Sequence, residues 1–221
     1  MKKVWHKAKP DLFRSVAAEI DVGYHDLRVV IENDVVYIRG SFPVKDDSGQ
    51  ILDRFLIEIQ FPDDFPNSTP ILRETGGRIP WFSDRHVNRD TGEACPIVPE
   101  EWLLRSDRAS IAAFLAGPVQ NFFLGQILFE HGEPWPFGER KHGNDGLFQS
   151  YGEWVGAKEP AKIRVYLEYL SRESLKGHWE CPCGSQQKLR NCHLEELVEL
   201  RKKIPSWIAK RALQRLGFSH K

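Results

Sequence analysis

Leu27-Arg-Val-Val-Ile31, Val35-Val-Tyr-Ile-Arg-Gly-Ser-Phe42 and Ile51-Leu-Asp-Arg-Phe-Leu-Ile-Glu-Ile-Gln-Phe61 are three β-rich runs, separated by Glu32-Asn33-Asp34 and Asp46-Asp47-Ser48-Gly49. β-branched and aromatic residues suit a pleated, half-buried surface, and the short polar spacers are turn material, so the runs predict an antiparallel meander. Phe61-Pro-Asp-Asp-Phe-Pro66 ends the third run, because proline donates nothing to a ladder, and Pro70 to Glu74 has the length of a fourth strand. Before the meander, Leu12, Phe13, Val16, Ala17 and Ile20 recur at spacings of three and four, one face of a helix opened by Pro10 or Asp11.

Beyond the strands, Thr75 to Arg105 has no usable period and carries Gly76-Gly77, Pro80, Pro96 and Pro99, which predicts a long ordered loop. Its Trp81, Phe82, Ile97, Val98 and Trp102 favour a packed, functional loop over a disordered one. Asp107 to Glu130 follows a helical pattern despite Pro118. Leu147 to Val155 predicts a short helix after the Gly/Pro-rich Gly132 to Gly146, Lys158 to Leu175 a connecting helix, and Glu195 to Leu216 a basic helix interrupted at Pro205.

The chain has 221 residues, 41% of them hydrophobic, with seven Trp and thirteen Phe, which is enough for a core and too much for a disordered chain. Formal charge is zero, but from Lys158 onward there are 14 Lys+Arg against 7 Asp+Glu, so the two parts carry about −7 and +7. After the basic start Met1-Lys2-Lys3 no apolar stretch follows, and Ile111 to Phe129 is interrupted by Pro118, Gln120, Asn121 and Gln126. These features predict a cytoplasmic chain with no signal peptide, and a buried helix rather than a membrane span.

Four cysteines in a cytosolic chain point to metal binding or catalysis rather than disulfides. Cys181-Pro-Cys183-Gly-Ser-Gln-Gln-Lys-Leu-Arg-Asn-Cys192-His193 places three thiols and an imidazole within thirteen residues, the ligand count of a closed tetrahedral structural Zn²⁺ site. Pro182 and Gly184 allow a tight turn, and Lys188 and Arg190 offset the net −1 of one Zn²⁺ with three thiolates. With all four positions taken by protein, no water is activated. The flanking Arg201-Lys202-Lys203 and Lys210-Arg211 suit phosphates or simply solvent, and nucleic acid is the less favoured partner.

Cys95 stands alone, as Gly92-Glu-Ala-Cys95-Pro-Ile-Val, with His86 and arginines nearby that favour a thiolate. A lone cysteine is also commonly a small buried hydrophobe. Between Lys45 and Lys141 lie 95 residues without a lysine but with eight arginines, 54, 73, 78, 85, 89, 105, 108 and 140, where an even spread of the 14 lysines gives about six. A thioester carrier must survive its own amines, and guanidinium is not nucleophilic. The competing explanation is arginine's preference for ion pairs.

Two family resemblances follow from these residues. The cysteine cluster resembles the SEC-C motif, Cys-x-Cys-x8-Cys-His/Cys, of the bacterial preprotein translocase motor's tail, which implies zinc and a protein partner at the knuckle. From about residue 10 to 155 the order of features resembles the ubiquitin-conjugating (E2) fold: leading helix, four-stranded meander, proline-rich turn, His86-Val87-Asn88 in place of His-Pro-Asn, Gly-x-x-Cys95, Trp102 and a crossing helix. More narrowly it looks like the divergent bacterial E2-like proteins, some of them linked to anti-phage defence.

The chain departs from the family at three positions: Asn88 lies seven residues before the cysteine instead of eight, Val87 replaces the proline, and Pro96 replaces a leucine. The resemblance implies an α+β E2-like domain over residues 1–157, followed by a helical linker and zinc region over 158–221. Cys95 would be the thioester nucleophile, His86 or Asn88 the oxyanion donor, and Asp84, Asp90 or Glu93 an aid to the amine. The implied partners are a ubiquitin-like modifier or target-protein C-terminus and an E1-like activator. Two rival readings remain, a non-catalytic E2-like binding module or zinc adaptor, and a cysteine hydrolase using Cys95 and His86.

Overall fold

The computed structural model describes residues 4–136 and 143–218. Helices α1 (Trp5–Ala8) and α2 (Pro10–Gly23) precede four strands, β1 (Leu27–Glu32), β2 (Val35–Lys45), β3 (Ile51–Gln60) and β4 (Ile71–Glu74). They form one antiparallel sheet in the order β1-β2-β3-β4, the expected meander. Val36↔Ile31 and Ile38↔Ile59 set its register, and period-two alternation puts Val36, Ile38, Phe42, Val44, Phe55, Ile57 and Ile59 on a single fully buried face. The other face carries Arg39 between Glu32 and Glu58, and Arg73 beside Glu58 and Glu93.

Helix α3 (Pro99–Leu103) forms within the C-terminal end of the stretch expected to be a long loop. A continuous helical rod then runs as α4 (Ile111–Phe114), a π-helical turn (Leu115–Val119) and α5 (Gln120–Glu130). Pro118 lies in the π turn: it lacks the amide for a regular hydrogen bond, and the widened turn absorbs that loss where the sequence pattern predicted an uninterrupted helix. The rod begins at Ile111, four residues later than its pattern, and is capped by Ser110, whose side chain accepts from the Ala113 amide. Glu19 of α2 holds the same end, accepting from Ser110 Oγ at 2.8 Å and the Ala112 amide at 2.7 Å. The rod is long and apolar enough to cross a membrane by composition alone, but half of its most apolar window is buried in the protein. Ile111, Phe114, Leu115, Val119, Phe122 and Phe123 belong to the hydrophobic core, and Phe123 stacks on Phe55 of β3 at 4.5 Å.

The N-terminal segment Trp5 to Pro10, polar in sequence, folds as α1. Trp5 is buried against Phe13, Phe61 and Phe65, and the Phe65–Pro66 peptide is cis. The chain divides into two compact units, Met1–Glu139 and Arg140–Lys221. The second contains α6 (Asn144–Val155), α7 (Pro160–Ser171), α8 (Leu194–Lys203) and α9 (Ser206–Arg215), with α6 on α7, α7 against α9 and α8 beside α7. The division therefore falls before α6, whereas the family resemblance implies a boundary after residue 157. Arg140, Lys141 and the basic start Met1 to Lys3 lie outside the described residues.

Candidate functional site: a cysteine hairpin and a cysteine–histidine cluster

The loop from Thr75 to Arg105 is locally ordered. A one-turn 3₁₀ segment, Ser83–Arg85, ends in His86, whose φ of 52° reverses the chain. A short hairpin follows: Val87 bridges Ala94, the Asn88 amide donates to Glu93 O at 2.8 Å, and the Cys95 amide donates to His86 O at 2.8 Å. His86 is thus paired with Cys95, and Asn88 with Glu93. Val87 is buried in the core with Ala94 packed against it, while Asn88 and Cys95 are exposed. The hairpin turn is an Asx turn, in which Asn88 Oδ1 accepts from the amides of Asp90 at 2.9 Å and Thr91 at 3.1 Å. Gly92, at φ +68°, completes it, and a Cβ there would come within 2.5 Å of the Trp81 indole.

Three contacts fasten this arm. The Ala94 amide donates to Leu72 O at 2.8 Å, and Arg73 bridges Glu93, adding the arm to the free edge of β4. Arg73 Nη2 lies 2.8 Å from Glu93 Oε1, and its Nη1 donates to Gln60 at 3.0 Å. At the other end Arg85 is buried: its Nε donates to Gln126 Oε1 at 2.6 Å, Gln126 Nε2 returns a bond to Arg85 O at 2.8 Å, and Glu130 pairs with its Nη2 at 3.3 Å. Gln126, which breaks the apolar run in sequence, is therefore the buried anchor of this loop.

The expectation that the nearby arginines act on the Cys95 thiol needs correcting for Arg85, whose guanidinium is committed to α5. Glu93 is likewise committed, to Arg73. Trp135, unnoticed in sequence, lies on His86 with ring centroids 4.4 Å apart and fits against α5 because Gly125 has no side chain; a Cβ there would come within 2.6 Å of its ring. Trp102 is core, packed edge-on to Phe114 at 5.1 Å.

At least five of the seven described arginines in the lysine-free stretch sit in ion pairs: Arg54 with Asp26, Arg73 with Glu93, Arg78 with Asp53 and Glu130, Arg85 with Glu130, and Arg105 with Asp107. Arginine's pairing geometry accounts for most of that stretch without any appeal to thioester protection.

In the second unit, Cys181, Cys183, Cys192 and His193 converge so that one ligand atom of each lies within 4.8 Å of the others. Glu180 bridges Lys188, the Cys181 amide donates to Gln187 O at 2.8 Å, and Gly184 and Gln186 take positive φ, closing a hairpin that carries the first two thiols. The 3₁₀ turn Leu189–Asn191 returns the chain, and Cys192 and His193 lead into α8. Cys183 and Cys192 sulfurs are 3.7 Å apart, matching the edge of about 3.8 Å expected of a tetrahedron with 2.3 Å Zn–S bonds. His193 presents Nδ1 to Cys181 at 3.1 Å and Cys192 at 3.0 Å. Its Nε2 faces Glu196 at 3.6 Å, one helical turn on, an orienting partner that the sequence reading missed although the i,i+3 spacing encodes it.

Burial pushes the Cys181 thiol up to about 11, whereas a hydrogen bond with the Ser185 hydroxyl brings Cys183 down to about 6. Tyr166 of α7 is raised to about 12, first by burial and then by the negative potential of the cysteines. Three sulfurs and one imidazole nitrogen converging in this way are a donor set for zinc, whose charge would hold the thiols deprotonated. The cluster is consistent with a structural Zn²⁺ site with no position left for substrate.

Comparison with protein-family models, with curated proteins and with solved structures finds no match to this chain.

Proposed function

We propose that the first unit is an E2-like acyl transferase with Cys95 as its thioester nucleophile, and that the second is a SEC-C-like zinc module that docks a protein partner. The observation that carries this reading is an exposed thiol on a hairpin fastened at both ends, paired across that hairpin with His86. In the proposed reaction the Cys95 thiolate attacks a thioester carbonyl at a protein C-terminus. A new C–S bond forms as the old one breaks, and the donor leaves as a thiolate. An amine then attacks the acyl-Cys95 carbonyl, the C–N bond forms, Cys95 departs as thiolate, and the amine proton passes to a base. Supply of the activated donor is the task of an E1-like protein, and the acyl group is the C-terminus of a ubiquitin-like modifier or a target protein. A role in anti-phage defence belongs to the same proposal and rests on the family resemblance alone.

Either His86 or Asn88 would serve the oxyanion. Asn88 suits the role because its Oδ1 is fixed by the Asx turn, which sets the plane of the amide whose N–H groups would donate. The same bond favours a second reading, a non-catalytic E2-like module or zinc adaptor, since Asn88 and His86 both have structural tasks already, in the turn and against Trp135.

The test is acyl exchange with a peptide α-thioester ending in Gly-Gly. Wild type should form an adduct on Cys95 faster than a cysteine-containing control peptide does, released by added thiol. Cys95→Ser should give a thiol-resistant ester and Cys95→Ala none. Exchange no faster than the control, or an undiminished adduct in Cys95→Ala, would leave the adaptor reading in its place.

A further inference from the structure

Between the C-terminal end of α7 and α9, the second unit has an open cleft of about 500 Å³ lined by Ser171, Arg172, Glu173, Lys176, Trp179 and Lys210. Its chemistry is one-sided. Arg172, Lys176 and Lys210 supply three cations against the single carboxylate of Glu173, and among the described residues none of the three has a carboxylate within ion-pair distance. This contrasts with the first unit, where most arginines in the lysine-free stretch are paired. Arg201 adds a fourth positive group at the rim, its Nη2 donating to Glu173 O at 2.8 Å. The dipole of α7 accounts for a cation at its end, such as Arg172, but not for Lys210 on α9.

The walls are built by the backbone. The Trp179 amide donates to Lys176 O at 3.0 Å, the Leu189 amide to Trp179 O at 2.7 Å, the Arg190 amide to Gly177 O at 3.0 Å, and Tyr169 Oη to Glu180 O at 2.8 Å. The Arg172 guanidinium lies over the Trp179 ring, 4.5 Å from its centroid. Its flat face is thereby covered, and the edge that carries the N–H fork is the part left for a ligand.

We infer that this cleft binds the carboxylates of an acidic protein segment. Arg172 would take one carboxylate through its fork, and Lys176 and Lys210 would act as point charges on the next. A nucleic acid strand is the poorer match: Arg172 covers the Trp179 face on which a base would stack, and Glu173 in the same wall repels a continuous phosphate backbone. The inference is independent of whether Cys95 carries an acyl group.

The experiment uses the zinc-loaded full chain and a fluorescein-labelled hexaglutamate peptide, followed by anisotropy at low and physiological salt. Saturable, salt-sensitive binding is expected, weakened about tenfold or more in Lys176→Glu/Lys210→Glu with circular dichroism and zinc content unchanged. Should the double reversal fail to fold, Lys210→Gln, at an exposed position, is expected to weaken binding about threefold. No saturable hexaglutamate binding, unchanged affinity in the folded variant, or equal or tighter binding of a labelled six-nucleotide oligothymidylate would overturn the inference.

Discussion

The hairpin bearing Cys95 and the hairpin bearing Cys181 and Cys183 are built from the same local devices, a β-bridge, a glycine at positive φ and a 3₁₀ turn alongside, yet they are held by opposite means. The first is fastened to a finished fold: Val87 sits in the core, Leu72 O takes the Ala94 amide, and Arg73 and Arg85 pin its two ends. Its cysteine is exposed. In the second, three cysteines and a histidine turn inward on one another, so the sulfurs themselves close the loop. A thiol left exposed by a rigid frame is available for chemistry, whereas a thiol used as a ligand has been given up to structure.

Metal removal breaks this comparison most sharply. Chelation, or Cys183→Ser, is expected to remove zinc and to strip hydrogen-exchange protection from residues 181–193 by several kcal/mol or more, short of the roughly 10–16 kcal/mol of isolated zinc-finger peptides because α7 and α9 pack independently. Protection across residues 87–94 should not change. Equal protection of the knuckle with and without metal would mean that its core, not its ligands, holds it.

Next in size is Gly92→Val. The new side chain meets the Trp81 ring at a backbone angle that only glycine adopts readily, so a cost of about 2–3 kcal/mol is expected in urea denaturation, with faster alkylation of Cys95 as its arm loosens. An unchanged alkylation rate would mean that the arm is not held through this turn.

Asn88 sharpens the comparison by separating structure from chemistry. Asn88→Ala removes the Asx turn and should cost about 1–2 kcal/mol. Asn88→Asp keeps both acceptor bonds but removes the amide donor, so under the proposed mechanism discharge of acyl-Cys95 to an amine should slow roughly 10²-fold with charging less affected. Wild-type discharge in Asn88→Asp, together with wild-type discharge in His86→Ala, would remove both residues from the oxyanion role. The smallest expected effect is in the knuckle, where Glu196→Gln should weaken metal binding about tenfold by releasing His193 Nε2, read by competition with a chromophoric chelator.

The meander and the metal ligands were legible because each is a local pattern. Alternation in Val35 to Phe42 and Ile51 to Phe61 reports the pleat, and four donors within thirteen residues need only one tight turn to meet. Helix α1, helix α3 and the hairpin at Val87 to Ala94 were not legible. Trp5 looks solvated until Phe61 and Phe65 arrive from sixty residues away, and Pro99-Glu-Glu-Trp-Leu is too short to show a period.

The four-stranded antiparallel sheet, the helical faces around it and the cysteine–histidine donor set are readable along the chain, since periodicity and close spacing survive without knowledge of what lies opposite. That Gln126 anchors Arg85, that Trp135 covers His86, that Arg73 secures the Cys95 arm, and that Arg172, Lys176 and Lys210 share a cleft emerges from how the elements pack. Apart from the neighbours Arg172 and Lys176, each of these joins residues twenty to forty-nine positions apart, and a contact of that kind is set by packing between elements, which no local window of sequence contains.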